Sequence, residues 1–324
     1  MELCTMFKLC GRASLFAIIL LFTVPALAWD ETGHKITAYI AWQRMTPEVR
    51  EKVFKVLMEA PEDSDIVSYY LPYGSRSQEA RKREFFMLMA SWGDIIRDKN
   101  IEVRYKNYHK SNWHYADTFW EWKDGRAQIV ETKEDSGQAM KKLVEFNQVI
   151  RSNASDADKA LAIVWIEHLI GDLHQPLHTS AKVTSSNQKG DQGGNLFFLT
   201  PKGTKRENQQ NLHSFWDGII GRNMPNADDE CDAEYLDPIA RDIIKSHPFE
   251  EYRMKLKLDA LDEWQKESFA IATTEVYKDL KWFELPSEKY RKKALKIAEE
   301  RLALAGYRMG ELFNQVFGPA GPRQ

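Results

Sequence analysis

Cysteine is scarce: the 324-residue chain has three, and two of them, Cys4 and Cys10, lie in its first 28 residues. If that segment is removed only Cys231 remains, so no internal disulfide can form and the fold must rest on its core and on any bound ligands. A surplus of positive charge is also missing. Lys and Arg number 45 against 48 Asp and Glu, a formal net charge of −3, so a nucleic-acid partner would have to be held by something other than excess lysine. The apolar run from Leu15 to Val24 is too short to span a membrane. No internal repeat, low-complexity tract or obvious linker divides the chain, and no stretch alternates apolar and polar residues for long, which argues against a sheet-based fold.

The start of the chain has the pattern of a secretory leader: Lys8 and Arg12, then the apolar run, then Ala26-Leu27-Ala28, a small-residue cleavage signature. Residues 1–28 are therefore expected to be removed, leaving a domain over 29–318 and a short tail over 319–324. Cleavage there makes Trp29 an amino terminus whose nitrogen and carbonyl oxygen can chelate a metal, with His34 five residues on.

Helical periodicity dominates the rest. Thr46-Pro47 starts a helix running to about Glu59, a second is expected from Gln78 to Asp98, and Ser155 with Asp158 forms a capping box that opens a helix through Leu173. Pro176 should stop that helix near Gln175. Further helices are expected over 211–220, 233–246, 252–280 and 287–316. Lys182–Gln210 is polar and Gly-rich apart from Leu196–Leu199, and reads as a loop with room for a short hairpin. The fold class is mostly α, a single-domain helix bundle with long loops.

Chemistry concentrates in His-Leu-Ile-Gly-Asp-Leu-His-Gln-Pro-Leu-His, which supplies His168, Asp172, His174 and His178. His168 and Asp172 are one turn apart and share a helix face, so an imidazole and a carboxylate can converge on one cation. His213 and Asp217 repeat the spacing. Two such pairs plus a third histidine are hard to explain as core packing, because each would bury unpaired polar groups. Imidazole and carboxylate without thiolate suit zinc or a similar first-row ion in a site with open positions. Asp94 and His114 are further candidates, unremarkable on their own.

The ordered set Trp29, His34, Asp94, His114, His168, Asp172, His178, His213 and Asp217 resembles the zinc-dependent single-strand-specific nucleases and 3′-nucleotidases. Mung bean nuclease and secreted fungal enzymes belong to that family, which is related to the zinc phospholipases C. Gly190-Asp191-Gln192-Gly193-Gly194-Asn195, Glu267-Ser268 and Leu302-Ala303 also follow its style.

The resemblance implies a bundle of that type and three zinc ions: one on Asp94, His114, His168 and Asp172, one on His178, His213 and Asp217, and one on His34, Asp172 and the Trp29 terminus. It further implies catalytic roles for Asp94, Asp172 and Arg97, with Arg97 against substrate phosphate, Tyr115 stacking on a base, and Asp117 and Asn195 bonding the base edge. Gly193 and Gly194 would let the base approach. The expected substrates are single-stranded DNA, RNA and 3′-nucleotides, cut to 5′-phosphorylated products. No stable protein partner and no membrane attachment after leader removal are expected, and the location would be periplasmic or extracellular.

His109, His174 and His247 take no ligand role, though His174 can orient a ligand, and Cys231 reads as a buried or incidental thiol. Trp113, Trp120, Trp122, Trp165 and Trp216 read as packing residues, and Tyr115 and Asp117 have ordinary alternatives as a core ring and a helix cap. Two other functions share the metal cage. A zinc phospholipase C is disfavoured by the long insert between His178 and His213 and by Asp217, where that family uses glutamate. A non-catalytic zinc-binding exported protein is disfavoured by carboxylate-rich sites with open positions.

Overall fold

A computed structural model describes residues 29–221 and 232–319. In chain order the helices are α1 (Glu31–Arg44), α2 (Pro47–Leu57), α3 (Gln78–Met89), α4 (Trp92–Ile95), α5 (Glu102–Tyr108), α6 (Ala139–Arg151), α7 (Asp156–His174), α8 (Leu212–Asp217), α9 (Asp232–Ser246), α10 (Phe249–Tyr252), α11 (Leu261–Ile271) and α12 (Glu288–Phe317). One small sheet joins them, β1 (Thr118–Lys123), β2 (Arg126–Ile129) and β3 (Ser180–Lys182), in the order β2-β1-β3. The mostly helical, single-domain expectation holds. Among the described residues no helix is long and apolar enough to cross a membrane.

Helix α7 is the axis. Every residue from Ala162 to His174 is buried, and the helix packs against α1, α2, α3, α4, α6, α11 and α12, so each polar side chain on it must be answered by protein or by a bound ion. Its start follows the sequence, with Ser155 Oγ accepting the Asp158 N–H at 3.1 Å, and its end comes at Pro176. Thr46 caps α2 in the same way, with Pro47 as the first helical residue. Helices α1 and α12 lie against each other where Gly306 faces Ile40 and Gly310 faces Arg44.

Several boundaries differ from expectation for identifiable reasons. The helix expected over 78–98 breaks between Met89 and Trp92, and the freed Ala90 carbonyl accepts the Nδ1–H of His168 at 2.9 Å. The helix expected over 252–280 is interrupted before Leu261. There the Leu256 carbonyl accepts Trp264 Nε1–H and Arg308 Nε–H, and the Lys255 carbonyl accepts another Arg308 N–H, so side chains take over the backbone's bonds. The chain ends α11 in a π turn over Ala272–Val276.

Helices α1, α5, α6 and α10 were not anticipated. The hairpin lies at β1–β2 rather than within Lys182–Gln210, where the Leu196–Leu199 patch forms an isolated bridge, Phe198 with Asn211. Its turn is Asp124-Gly125, both in the left-handed region at φ 53° and 75°, the dipeptide that favours tight hairpins. Cys231 and residues 1–28, read above as a leader, lie outside the described residues.

Candidate metal centre

Five elements converge at one end of α7. His34 comes from α1, Asp94 from α4, His114 from the turn after Ser111–Trp113, His168 and Asp172 from α7, His178 from the turn Pro176–Thr179, and His213 and Asp217 from α8. They form three groups whose candidate ligand atoms all lie within 4.8 Å of one another: His34, His168 and Asp172; Asp94, His114 and His168; and His178, His213 and Asp217. His168 therefore belongs to two groups, not only to the one expected for it.

Asp172 lies between the first two. Its Oδ1 is 3.3 Å from His34 Nε2, while Oδ2 is 3.3 Å from His168 Nε2 and 3.4 Å from His114 Nδ1. Arg97 pairs with Asp94 at 2.9 Å, beside the same cluster. Where the described residues begin, the Asp30 N–H donates to the Asp217 carbonyl at 3.1 Å, which puts Trp29 next to the third group, with its indole buried over Gly33.

The hydrogen bonds fix which ring nitrogens are free. Nδ1–H of His168, His178 and His213 donates to the carbonyls of Ala90, His114 and Gly193 at 2.9, 2.6 and 2.7 Å, which turns each Nε2 inward, the arrangement typical of metal-bound histidine; that of His168 meets His114 Nδ1 at 2.8 Å. The Nε2 atoms of His34, His178 and His213 and both Asp172 oxygens are buried without a hydrogen-bond partner. His174 differs: its Nδ1–H donates to the Ile170 carbonyl and its Nε2 accepts from Arg308, so no lone pair is left for a metal.

Glycines make room for the rings. A Cβ on Gly93 would fall 2.6 Å from the His168 ring, and one on Gly171 2.6 Å from His34 Nδ1. Gly193, at φ 60°, would put a Cβ 2.4 Å from the Leu177 carbonyl oxygen and 3.1 Å from His213 Nδ1. Sequence reading missed Gly93, Gly171 and also Gln175, whose Nε2–H donates to Asp217 Oδ1 at 2.6 Å. The signal for Gln175 was its place between two candidate ligands.

Electrostatics suit a cation. Burial disfavours the charged forms of His34, His114, His178 and His213, and takes His114 and His213 down to about 3, so these rings are neutral and able to act as ligands. For His168, burial is outweighed by Asp172 and Asp94, which raise it. Burial also opposes ionisation of Asp172, but His168 and the neighbouring rings of His114 and His34 hold it well below the usual carboxylate range. Asp217 is pushed well above that range by burial and by nearby carboxylates. A buried set of neutral imidazoles with three carboxylates and orphaned lone pairs fits metal ions and is costly without them.

Tyr115 and Asp117 follow His114 directly. Tyr115 is half-buried, with its phenol pushed up to about 12 by burial and by Asp135 and Asp117. Asp117 Oδ1 is buried without a hydrogen-bond partner, and burial together with Asp191 pushes its carboxyl well above the usual range. Asn195 is half-buried in the turn that carries Gly193 and Gly194, its Nδ2–H donating to the Gln192 carbonyl at 2.8 Å. Of the tryptophans read as packing, Trp120, Trp165 and Trp216 are buried and Trp113 is half-buried, but Trp122 is 58 % exposed.

Residues 29–318 match the S1/P1 Nuclease family. The chain belongs to that family. This nuclease, a phosphodiester-hydrolysing enzyme, is similar to Endonuclease 2 of Arabidopsis thaliana, 23 % identical over 329 residues that cover 94 % of this chain and 96 % of that protein. Endonuclease 4 of the same plant is 23 % identical over 331 residues, 93 % of this chain and 94 % of that one. Endonuclease 1 is 29 % identical over 169 residues, 48 % of this chain and 49 % of its own length. Nucleic acid is the substrate class of this nuclease, and three His/Asp groups could hold its metal.

Proposed function

We propose that this nuclease is an exported zinc enzyme that cuts single-stranded DNA and RNA to 5′-phosphorylated products and releases phosphate from 3′-nucleotides. The observation that carries the reading is the set of three His/Asp groups, two of them joined through His168 and Asp172, with ring nitrogens turned inward. Three zinc ions would be held: by Asp94, His114, His168 and Asp172; by His178, His213 and Asp217; and by His34, Asp172 and the amino nitrogen and carbonyl oxygen of a chain beginning at Trp29. Bound zinc raises the acidity of water and neutralises charge at phosphorus.

The remaining work falls to side chains. Arg97, steadied by Asp94, offers a planar fork of donors to a phosphate oxygen. Tyr115 stacks on a base, and Asp117 and Asn195 meet its edge, with Gly193 and Gly194 leaving the backbone open to close approach. Stacking needs an unpaired base, and that accounts for a single-strand preference. The unpartnered Asp117 oxygen supports an edge contact, since substrate would give it the donor it lacks. The family match beginning at Trp29 supports removal of residues 1–28.

The test compares single-stranded with double-stranded DNA, 3′-AMP with 5′-AMP, and phosphatidylcholine as a third substrate, on zinc-loaded protein. Rapid cleavage of single strands and of 3′-AMP is expected. Equal rates on 3′-AMP and 5′-AMP would undo the base pocket, and preferential attack on phosphatidylcholine would undo the nuclease assignment of the site.

A further inference from the structure

Gln175 is fully buried at the point where α7 gives way to the turn Pro176–Thr179. Its backbone sits at φ −80° and ψ 117°, the extended form that a following proline demands. A buried amide side chain must find partners for its donors and its acceptor, or it loses their hydration without return. Here the partners are candidate metal ligands and the backbone between them.

The hydrogen bonds of Gln175 reach three of those ligands. Its N–H donates to the Asp172 carbonyl at 3.0 Å, and its carbonyl accepts the His178 N–H at 3.1 Å. The side-chain Oε1 accepts the Leu177 N–H at 2.6 Å, which fixes the orientation of the amide, because a flipped group would set its NH2 against that N–H. Nε2 is thereby aimed at Asp217 on α8 and donates to Oδ1 at 2.6 Å. One residue thus ties the backbone of Asp172 to the group of His178, His213 and Asp217.

This contact makes the two Asp217 oxygens unequal. Oδ1 carries the amide and lies 3.9 Å from His178 Nε2, whereas Oδ2 lies 3.4 Å from His213 Nε2. An N–H on one oxygen resists rotation of the carboxylate and competes with a metal for the electron density of that oxygen.

We propose that Gln175 is a positioning residue: its amide makes Asp217 a one-oxygen ligand through Oδ2, so that an ion held with His178 and His213 keeps open positions for a substrate oxygen. This rests on the zinc reading above and deepens it. Three protein donors leave a zinc ion room for a reacting oxygen, and a carboxylate that offers both oxygens takes up that room. Through its bonds to the Asp172 and His178 backbones, Gln175 also holds these ligands in register with the group around Asp172.

The test compares zinc-loaded wild type with Gln175→Met, which keeps an unbranched side chain in the same space but donates nothing to Asp217. The readouts are crystal structures of both loaded proteins, zinc per chain by mass spectrometry, and kcat and KM on 3′-AMP at saturating zinc. In wild type, Oδ2 should meet the ion while Oδ1 stays on the Gln175 amide. In Gln175→Met, Asp217 should turn to offer both oxygens, and kcat should fall about 10- to 100-fold with zinc content unchanged. Thr179→Val is the control for the turn. It removes the Thr179 O–H bond to the Pro176 carbonyl at 2.9 Å and should leave Asp217 ligation and kcat as in wild type. Both Asp217 oxygens on the ion in wild type, an unaltered Asp217 in Gln175→Met, or an equal loss of kcat in Thr179→Val would overturn the proposal. Should Gln175→Met not fold, the oxygen that meets the ion in wild type decides. Loaded wild type that spares both single strands and 3′-AMP would refute the proposed function instead, and the crystal comparison would still decide the role of Gln175.

Discussion

Gly171→Ala separates the metal centre from the stability of the helix that carries it. Gly171 lies in α7 between His168 and Asp172 with ordinary helical geometry, so alanine meets no backbone strain and improves helix propensity by about 1 kcal/mol. The new Cβ would, however, fall 2.6 Å from His34 Nδ1 and 2.8 Å from its Cε1. That ring cannot easily yield: it is fully buried and stacked on His168 with centroids 4.3 Å apart. Overpacking of this kind costs about 1–3 kcal/mol, which leaves a net loss of about 0–2 kcal/mol in metal-free protein after the helical gain. At about 2–4 °C per kcal/mol the melting temperature falls by less than about 8 °C. Metal affinity should suffer more, because His34 Nε2 is driven off its 3.3 Å approach to Asp172. Loss of ligand orientation costs about 10- to 100-fold in affinity. The assay is bound metal per chain by plasma mass spectrometry after dialysis against graded zinc buffers, with thermal melts in chelator. Gly310→Ala is the control: its Cβ would clash with Arg44 Cβ at 2.7 Å, three helical turns from His34, and should lower the melt without altering metal content. Wild-type zinc affinity in Gly171→Ala, or a metal loss matched by Gly310→Ala at equal stability, would refute the cradle argument.

Four other outcomes follow from the same geometry. Asp172→Asn removes the charge shared by two groups and should lower single-strand cleavage at least about 100-fold with loss of bound metal, and full metal content by mass spectrometry would contradict it. In chelator, stability should fall with acid. His34, His114, His178 and His213 refuse protons that the unfolded chain accepts near its ordinary 6.5, so their contribution is intact above that pH. It is lost as pH falls toward about 3 for His114 and His213, at up to about 1.4 kcal/mol per pH unit for each ring. His168, raised by Asp172 and Asp94, has the opposite slope, but only above 6.5. Urea midpoints unchanged between about pH 7.5 and 5.5 would exclude this account. Arg308→Met strips partners from His174, Glu267 and the Lys255 and Leu256 carbonyls, and should cost about 3 kcal/mol in urea unfolding while zinc is retained. A chain that starts at Ala28 instead of Trp29 should bind one zinc fewer per molecule, and identical stoichiometry would remove the terminus from the ligand set.

How much of this was legible depended on whether the cause lay nearby in the chain. The pair His168 and Asp172, and the pair His213 and Asp217, could be read because a shared cation demands those side chains one helical turn apart, and Ser155, Thr46 and Pro176 act on their immediate neighbours. The break at Ala90 could not. Leu88 and Met89 continue a helical pattern, and the reason to stop is a histidine 78 residues on that needs the Ala90 carbonyl. Arg308, 52 residues beyond Leu256, likewise ends one helix early. Asp124-Gly125 was a local signal of the hairpin, overlooked for want of alternation around it. Gly93 and Gly171 look like propensity defects in sequence and gain their meaning only from the imidazoles that fill the space of a missing Cβ.

The same logic explains why one helix can carry so much ionisable chemistry. Glu167, His168, Asp172 and His174 are all fully buried on α7, and each meets desolvation differently. His174 has protein partners at both nitrogens. Glu167 has none, and its carboxyl is pushed well above the usual range by burial, so it stays neutral. Neither escape is open to Asp172, which is held ionised by the rings around it while both of its oxygens lack a hydrogen bond. Its charge is balanced in part by His168, and Asp94 adds a second carboxylate that shares His168 and pairs with Arg97. A bound cation would supply the charge and the bonds that the set lacks. Metal affinity and folding stability are thus two measures of a single free energy here, and zinc removal should lower the unfolding midpoint more than any single ligand substitution does.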